Sequence, residues 1–397
     1  MTKKWVNIAD VLFFQEGPGV RNTQYTTSGV KLLNVANLVD GKVDLSKSDR
    51  YISEEEAYGK YRHFLCDDGD FVIASSGIKV EYIDKKMGFV DASMLPLCMN
   101  TSTIRFKVLD ENQLRIRYFM YYLKSKHFKE QLTKQITGSA QLNYGPSHLK
   151  KMIMPLIDIT VQDEIISCMD KLQSIIETRQ RELIELDRLM KARFVELFGD
   201  PRSNPFGFEK KRLKDTCKVI TGNTPSRAIA EYYGDYIEWI KTDNIVSGIL
   251  NPTQATESLS EKGMNVGRTV EKDSILMACI AGSIASIGRV CITDRTVAFN
   301  QQINAVVPEQ YNILFLYVLF QMSKDYLVED INMALKGILS KSKLEEKEFI
   351  IPPMDLQEQF SDFVKQVNKS KFDTMTFAPI YAIINLYLHT YFYQGRR

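Results

Sequence analysis

Histidine is scarce in this chain. Only His63, His127, His148 and His389 are present, none at zinc-finger or zincin spacing from another histidine or a cysteine. A metal site is therefore not expected. The six cysteines (66, 98, 168, 217, 279 and 291) include no CxxC pair, so they read as lone thiols, most of them buried. The opening Met1-Thr2-Lys3-Lys4-Trp5 lacks the apolar stretch of a signal peptide, which points to a reduced, cytoplasmic setting. Excess charge of either sign is missing too. Fifty-one Lys and Arg stand against 49 Asp and Glu, a net charge of +2, so the surface is no polycation and any nucleic-acid contact must rest on local patches. With 25% charged and 44% hydrophobic residues, the chain is neither disordered nor fibrous, and its 397 residues suit two or three domains.

The usual catalytic constellations are absent as well. No GxxxxGK[ST] loop occurs, and Gly282-Ser283-Ile284-Ala285-Ser286-Ile287-Gly288 lacks the lysine that would cradle phosphate. Gly17-Pro18-Gly19 has no strand-turn-helix context for a dinucleotide. No GxSxG elbow stands out, and four scattered histidines leave little for a triad. Asn204-Pro205-Phe206 superficially resembles the catalytic tetrapeptide of adenine methyltransferases but lacks its second proline and sits where a turn is needed. Catalysis by this chain alone has little support.

What the sequence does contain is a repeat. Leu33-Asn34-Val35-Ala36-Asn37-Leu38-Val39-Asp40-Gly41 corresponds to Ile240-Lys241-Thr242-Asp243-Asn244-Ile245-Val246-Ser247-Gly248 at an offset of 207, as does Ile52-Ser53-Glu54 to Leu259-Ser260-Glu261. Asp70 to Ala74 meets Ser274 to Ala278 at 204, Asn100 meets Asn300 at 200, and Ser125-Lys126 meets Ser323-Lys324 at 198. Pro155, Asp158 and Gln162 meet Pro352, Asp355 and Gln359 at 197. Such order, with a steadily shrinking offset, indicates a duplicated module that has lost a few residues.

Each copy reads as an α/β module of about 150 residues. Strand-like runs (Val30 to Leu33, Phe71 to Ala74 and Thr103 to Val108; Ile237 to Ile240, Ile275 to Cys279 and Asn304 to Val307) precede a segment of helical spacing, Leu114 to Gln131 or Ile313 to Ile331. Between the copies the chain changes character. Ile165, Met169, Leu172, Ile176, Arg179, Leu183, Leu186, Met190, Arg193 and Leu197 alternate in steps of four and three, a heptad seam that calls for a partner helix. Asp158 to Thr160 supplies the cap and Gly199-Asp200-Pro201 the stop. The 33 residues from 165 to 197 would span about 50 Å, or about fifteen base pairs of duplex.

Polar loops with the donors and acceptors that read base edges fall at matching places in both copies. In the first they are Arg21 and Asn22 after Gly17-Pro18-Gly19, Asn34 and Asn37, Ser75 and Ser76, and Asn100. In the second they are Thr224, Ser226 and Arg227, then Lys241, Thr242 and Asn244, then Ser283, then Asn300 and Gln301. Arg and Lys suit guanine, Asn and Gln suit adenine, and glycine loops let a backbone approach a groove; the plainer reading is that these are turns capping strands. Lys210-Lys211-Arg212 with Lys214 forms a basic run that could meet phosphate or simply be solvated.

Together, the duplicated module, the Pro155 to Gln162 and Pro352 to Gln359 segments, the heptad helix closing in Leu197-Phe198-Gly199-Asp200-Pro201, and the Thr221-Gly222-Asn223-Thr224-Pro225-Ser226 loop resemble the specificity subunits of type I restriction-modification systems. The likeness runs from about residue 5 to about residue 372. It implies an α+β fold of two pseudo-symmetric target recognition domains (1–157 and 201–354) separated by two long helices (158–200 and 355–397) that form an antiparallel coiled coil. It also implies that the chain binds double-stranded DNA at a bipartite site and is not itself an enzyme. The helices, through Ile165, Met169, Leu172, Ile176, Leu183, Leu186, Met190 and Leu197 on the first, would form the partner-helix interface and dock two modification (methyltransferase) subunits, with restriction (nuclease) subunits as further partners. S-adenosylmethionine would belong to the modification subunits, leaving this chain without a cofactor.

One stretch departs from the family pattern. The second helix begins as expected, with Phe360, Phe363, Val364 and Val367, but the repeat breaks from Asp373, and residues 374 to 395 carry no Asp, Glu, Lys or Arg. Pro379, Asn385, His389 and the tyrosines 381, 387, 391 and 393 make this a poor membrane span, so a diverged coil end is expected and no membrane partner. Two other functions compete with DNA specificity: a coiled-coil scaffold whose modules bind protein, and a self-sufficient DNA methyltransferase.

Overall fold

The computed structural model describes residues 3–136, 143–331, 337–375 and 392. They fall into two compact units, one ending at Glu177 and taking in Phe392, the other beginning at Thr178.

In the first unit the wholly apolar run Phe71–Ala74 becomes a strand with every residue buried. It lies inside a four-stranded antiparallel sheet in the order Leu12–Glu16, Thr103–Val108, Phe71–Ala74, Met87–Phe89. A smaller sheet joins Tyr51–Ile52, Val30–Leu33 and Leu97–Met99, the last two running parallel. Phe71, Phe106 and Phe119 pack ring against ring beneath the first sheet, each burial contributing about 1.5–3 kcal/mol. Phe392 is fully buried in the same core, its ring centroid 5.3 Å from that of Tyr118 and 5.5 Å from that of Tyr122.

The second unit repeats the plan. Cys217–Thr221, Ile303–Pro308, Ile275–Ala278 and Val290–Ile292 form the four-stranded antiparallel sheet. The companion sheet has five strands and again contains one parallel pair, Ile237–Ile240 with Val297–Phe299. The duplication read from the sequence is thus present strand for strand in both four-stranded sheets, and the strands expected at Val30 to Leu33, Phe71 to Ala74, Thr103 to Val108 and Ile237 to Ile240 have those bounds. Both helical segments differ from expectation by a break: Ile116–Lys124 stops at Ser125 before Lys126–Gln135, and Ile313–Met322 stops at Ser323 before Lys324–Val328. The Ser125 hydroxyl accepts from the Phe128 amide and starts a new helix, a capping preference stronger than the apolar periodicity across it. Ile313–Met322 is buried on all sides from Leu314 to Phe320, as a helix apolar all round must be.

The long helix runs from Ile159 to Phe198, 40 residues. Asp158 accepts from the Thr160 amide at its start, and Gly199, at φ +71°, ends it, as the cap and stop residues require. Of the expected seam, Ile165 and Met169 are buried in the first unit's core with Leu172 against it, and Ile176 is buried. Leu183 and Leu186 are half-buried, and Met190 is buried in the second unit's core. The seam's end needs correcting. Phe194 and Phe198 are fully buried, while Arg193 and Leu197 are only half-buried. From Met190 the buried line advances in fours, and Phe194 and Phe198 meet the rings of both Phe315 and Phe360 in the second unit's core.

Within the second unit the helix Met354–Met375 packs antiparallel to the end of the long helix. Phe198 meets Phe360 with ring centroids 5.5 Å apart, and Asp187 forms an ion pair with Lys371. The same eleven-residue step, taken backward on one helix and forward on the other, links the two contacts. Among the described residues no helix is long and apolar enough to cross a membrane. Apart from Thr374, Met375 and Phe392, the uncharged stretch 374 to 395 lies outside the described residues.

Candidate nucleic-acid interface

Each unit brings four loops together around one asparagine. In the first, the Asn100 amide donates to the Leu33 carbonyl at 3.1 Å, and the Gly17 amide donates to the Thr103 carbonyl at 2.9 Å. Thr101 donates to the Pro18 carbonyl, and the Ser75 amide to the Ser102 carbonyl. In the second, the Asn300 amide donates to the Ile240 carbonyl at 3.0 Å and the Gly222 amide to the Ile303 carbonyl at 3.0 Å. Thr224 donates to the Gln301 side chain, and the Cys279 amide to the Gln302 carbonyl. The glycines permit this approach: a Cβ on Gly17 would stand 2.2 Å from the Asn100 carbonyl oxygen, and one on Gly222 2.1 Å from that of Asn300. No side chain fits there.

The predicted loops therefore converge, but the residues within them divide by burial. Asn34, Asn37, Ser75, Asn100, Asn244 and Asn300 are buried, and their polar atoms are engaged inside the module. Asn37 Oδ1 accepts from the Asn34 amide and Asn244 Oδ1 from the Lys241 amide, each at 3.0 Å. Asn100 donates to the Asn34 side chain at 2.9 Å, and Asn300 accepts from the Gln302 amide at 3.1 Å. Ser75 donates to Glu16, whose carboxyl is pushed up by burial against the pull of that hydrogen bond. These six shape the turns from buried positions, whereas the sequence reading had offered them to base edges. Ser76, Lys241 and Thr242 are half-buried, while Arg21, Asn22, Thr224, Ser226, Arg227, Ser283 and Gln301 are exposed.

The basic run also reads differently in three dimensions. Arg212 pairs with Asp215 at 2.9 Å and with Glu346, which Lys214 also reaches, and Lys211 pairs with Glu209. Three of its four cations are thus paired with carboxylates of the same unit, while Lys210 donates to the Arg202 carbonyl at 2.9 Å. Asn204, at φ +49°, closes a turn by exchanging two hydrogen bonds with Phe208, which accounts for Asn204-Pro205-Phe206 without catalysis.

A cluster the sequence reading missed stands beside these loops. Arg227 lies 4.5 Å from the Tyr233 ring centroid and 5.4 Å from that of Trp239, and Lys241 lies 5.1 Å from Trp239. Glu257 pairs with Arg227 at 2.7 Å and with Lys241 at 3.0 Å. Hydrogen bonds from Lys241 and Arg227 hold the Glu257 carboxyl below the usual range. The adjoining Trp239 and Lys241 were a visible signal, but Glu257 joins them only through strand pairing, where the Trp239 amide donates to the Glu257 carbonyl.

The family model of the type I restriction modification DNA specificity domain matches the chain twice, over residues 18–188 and 205–379. The chain belongs to that family and carries two copies of its domain. The HindI type I restriction enzyme specificity subunit of Haemophilus influenzae is 33% identical over 146 residues, covering 35% of this chain and 31% of that one. The MjaIX specificity subunit of Methanocaldococcus jannaschii is 24% identical over 302 residues, covering 70% of this chain and 68% of that one. The chain thus spans about a third of the first relative's length and about two thirds of the second's. The crystal structure of a type I restriction-modification S subunit from M. genitalium shares the fold, with a TM-score of 0.58 at 14% identity over 100% of this chain and 97% of that one.

Proposed function

We propose that the chain is the non-catalytic, DNA-binding specificity subunit of a type I restriction-modification complex, acting in the cytoplasm. Each unit reads one half of a bipartite site in double-stranded DNA. The helices dock two modification subunits, which bring S-adenosylmethionine and methyl transfer, and nuclease subunits join when the complex cleaves. The observation that carries this reading is the convergence of four equivalent loops in each unit, with Arg21 and Asn22 exposed in one and Thr224, Arg227 and Gln301 exposed in the other. Two different readers on one repeated plan suit an asymmetric, interrupted site. The long helix is the element proposed for docking, with Ile175, Ile184, Leu189 and Val195 each exposing more than two fifths of their surface.

Co-expression with the modification subunits tests it. A reconstituted complex is expected to bind duplex DNA with steep salt dependence and to methylate one interrupted sequence. A chain that assembles with partners but shows no salt-sensitive DNA binding would instead be a protein scaffold, and methylation by the isolated chain would make it an enzyme.

A further inference from the structure

The two units carry opposite charges at one structurally equivalent position. The Leu32 amide donates to the Arg50 carbonyl at 2.9 Å, and the Trp239 amide donates to the Glu257 carbonyl at 3.1 Å. Both pairs lie at the repeat's offset of 207. In the first unit the exposed Arg50 stacks on Tyr25, 5.3 Å from its centroid. In the second, Glu257 points its carboxylate between Arg227 and Lys241, the two cations that stand on the Tyr233 and Trp239 rings. The aromatic platform and both ion pairs hold the cations in a set geometry, with one carboxylate offsetting one of their two charges.

We propose that Glu257 is a specificity-determining residue. It keeps Arg227 and Lys241 from binding the phosphates of arbitrary duplex, so that they engage DNA only where further contacts outweigh the loss of two ion pairs. A cation paired with a carboxylate releases few counterions on meeting phosphate, because the pair must first be broken. The first unit, with Arg50 where the second has Glu257, then supplies more of the sequence-independent attraction. This inference rests on the reading of the chain as a DNA-binding subunit.

The experiment uses the full chain and a fluorescently labelled mixed-sequence duplex, with anisotropy followed from about 50 to about 300 mM salt. Glu257→Gln keeps the side chain's shape and removes its charge. It is expected to tighten binding about three- to tenfold at low salt and to steepen the plot of log affinity against log salt by about one to two. Adding Glu257→Gln to a chain already carrying Arg227→Ala and Lys241→Ala is expected to change neither quantity, because no masked cation remains. Arg50→Glu is expected to weaken binding and flatten the slope.

If Arg227→Ala weakens binding while Glu257→Gln leaves affinity and slope unchanged, the masking role is overturned and the DNA-binding reading stands. If neither substitution has any effect, the inference falls and this surface drops out of the DNA contact. If Glu257→Gln tightens binding equally with and without the two cations, the effect is general charge and the specific role is overturned.

Discussion

Gln162 and Gln357 make the same pair of hydrogen bonds, each within its own unit. Gln162 accepts from the Arg115 amide and donates to the Ile157 carbonyl, both at 2.9 Å. Gln357 accepts from the Asn312 amide at 2.9 Å and donates to the Pro352 carbonyl at 2.7 Å. Each glutamine thus reaches five residues back along the chain and locks the start of a buried helix to the base of a long one. The sequence comparison paired Gln162 with Gln359; the side-chain contacts put its true counterpart two residues earlier.

Both glutamines are almost fully buried, so replacing either by alanine leaves a backbone donor and a backbone acceptor without partners. A cost of about 1–3 kcal/mol is expected, confined to one unit. The two tryptophans divide between the units, Trp5 in the first and Trp239 in the second. In single-tryptophan variants under denaturant, Gln162→Ala should lower the midpoint reported by Trp5, and Gln357→Ala that reported by Trp239. Equal shifts at both reporters would contradict a local role.

Gly17→Ala and Gly222→Ala are expected to separate the converging loops, since a Cβ at either place would stand 2.2 or 2.1 Å from a carbonyl oxygen. A destabilisation of about 1–3 kcal/mol should accompany a loss of DNA affinity measured on the protein that remains folded. Unchanged affinity would remove the loops from the contact.

Asn37→Ala and Asn244→Ala should separate stability from recognition. Each side chain holds a turn, and its loss should cost about 1–2 kcal/mol in thermal unfolding, while the sequence preference of folded protein stays the same. A changed preference would return these asparagines to the reading surface.

Thiol chemistry checks the cores. Burial pushes the Cys98, Cys217, Cys279 and Cys291 thiols up to about 12, and Cys66 upward as well. At about pH 8 only about one in ten thousand such thiols is ionised. Iodoacetamide should therefore label the half-buried Cys168 first, with mass spectrometry finding the other five modified only on unfolding. Early labelling of Cys217 or Cys279 would contradict the second unit's packing.

Much of the fold was legible because the duplication doubled the signal. Asn37 and Asn244 share an offset because both close the same turn, and Phe71–Ala74 reads as a buried strand because it has no polar residue. The candidate site was legible only as loops. A polar residue in a loop looks the same in sequence whether it closes a turn, as Asn37 does, or faces solvent, as Thr224 does. That difference is set by backbone contacts such as the Asn300 amide to the Ile240 carbonyl, far apart in the chain. Glu257 was missed for the same reason. Phe194 and Phe198 were missed because their buried line is set by Phe315 and Phe360, rings far away in the chain.

The most direct measurement is methylation mapping by sequencing of DNA from cells that express the modification subunits with either this chain or a chimera whose residues 1–157 come from another specificity subunit. Two independent readers require that one half of the methylated sequence changes and the other half stays as it was. A change in both halves, or in neither, would contradict the assignment of one half-site to each unit.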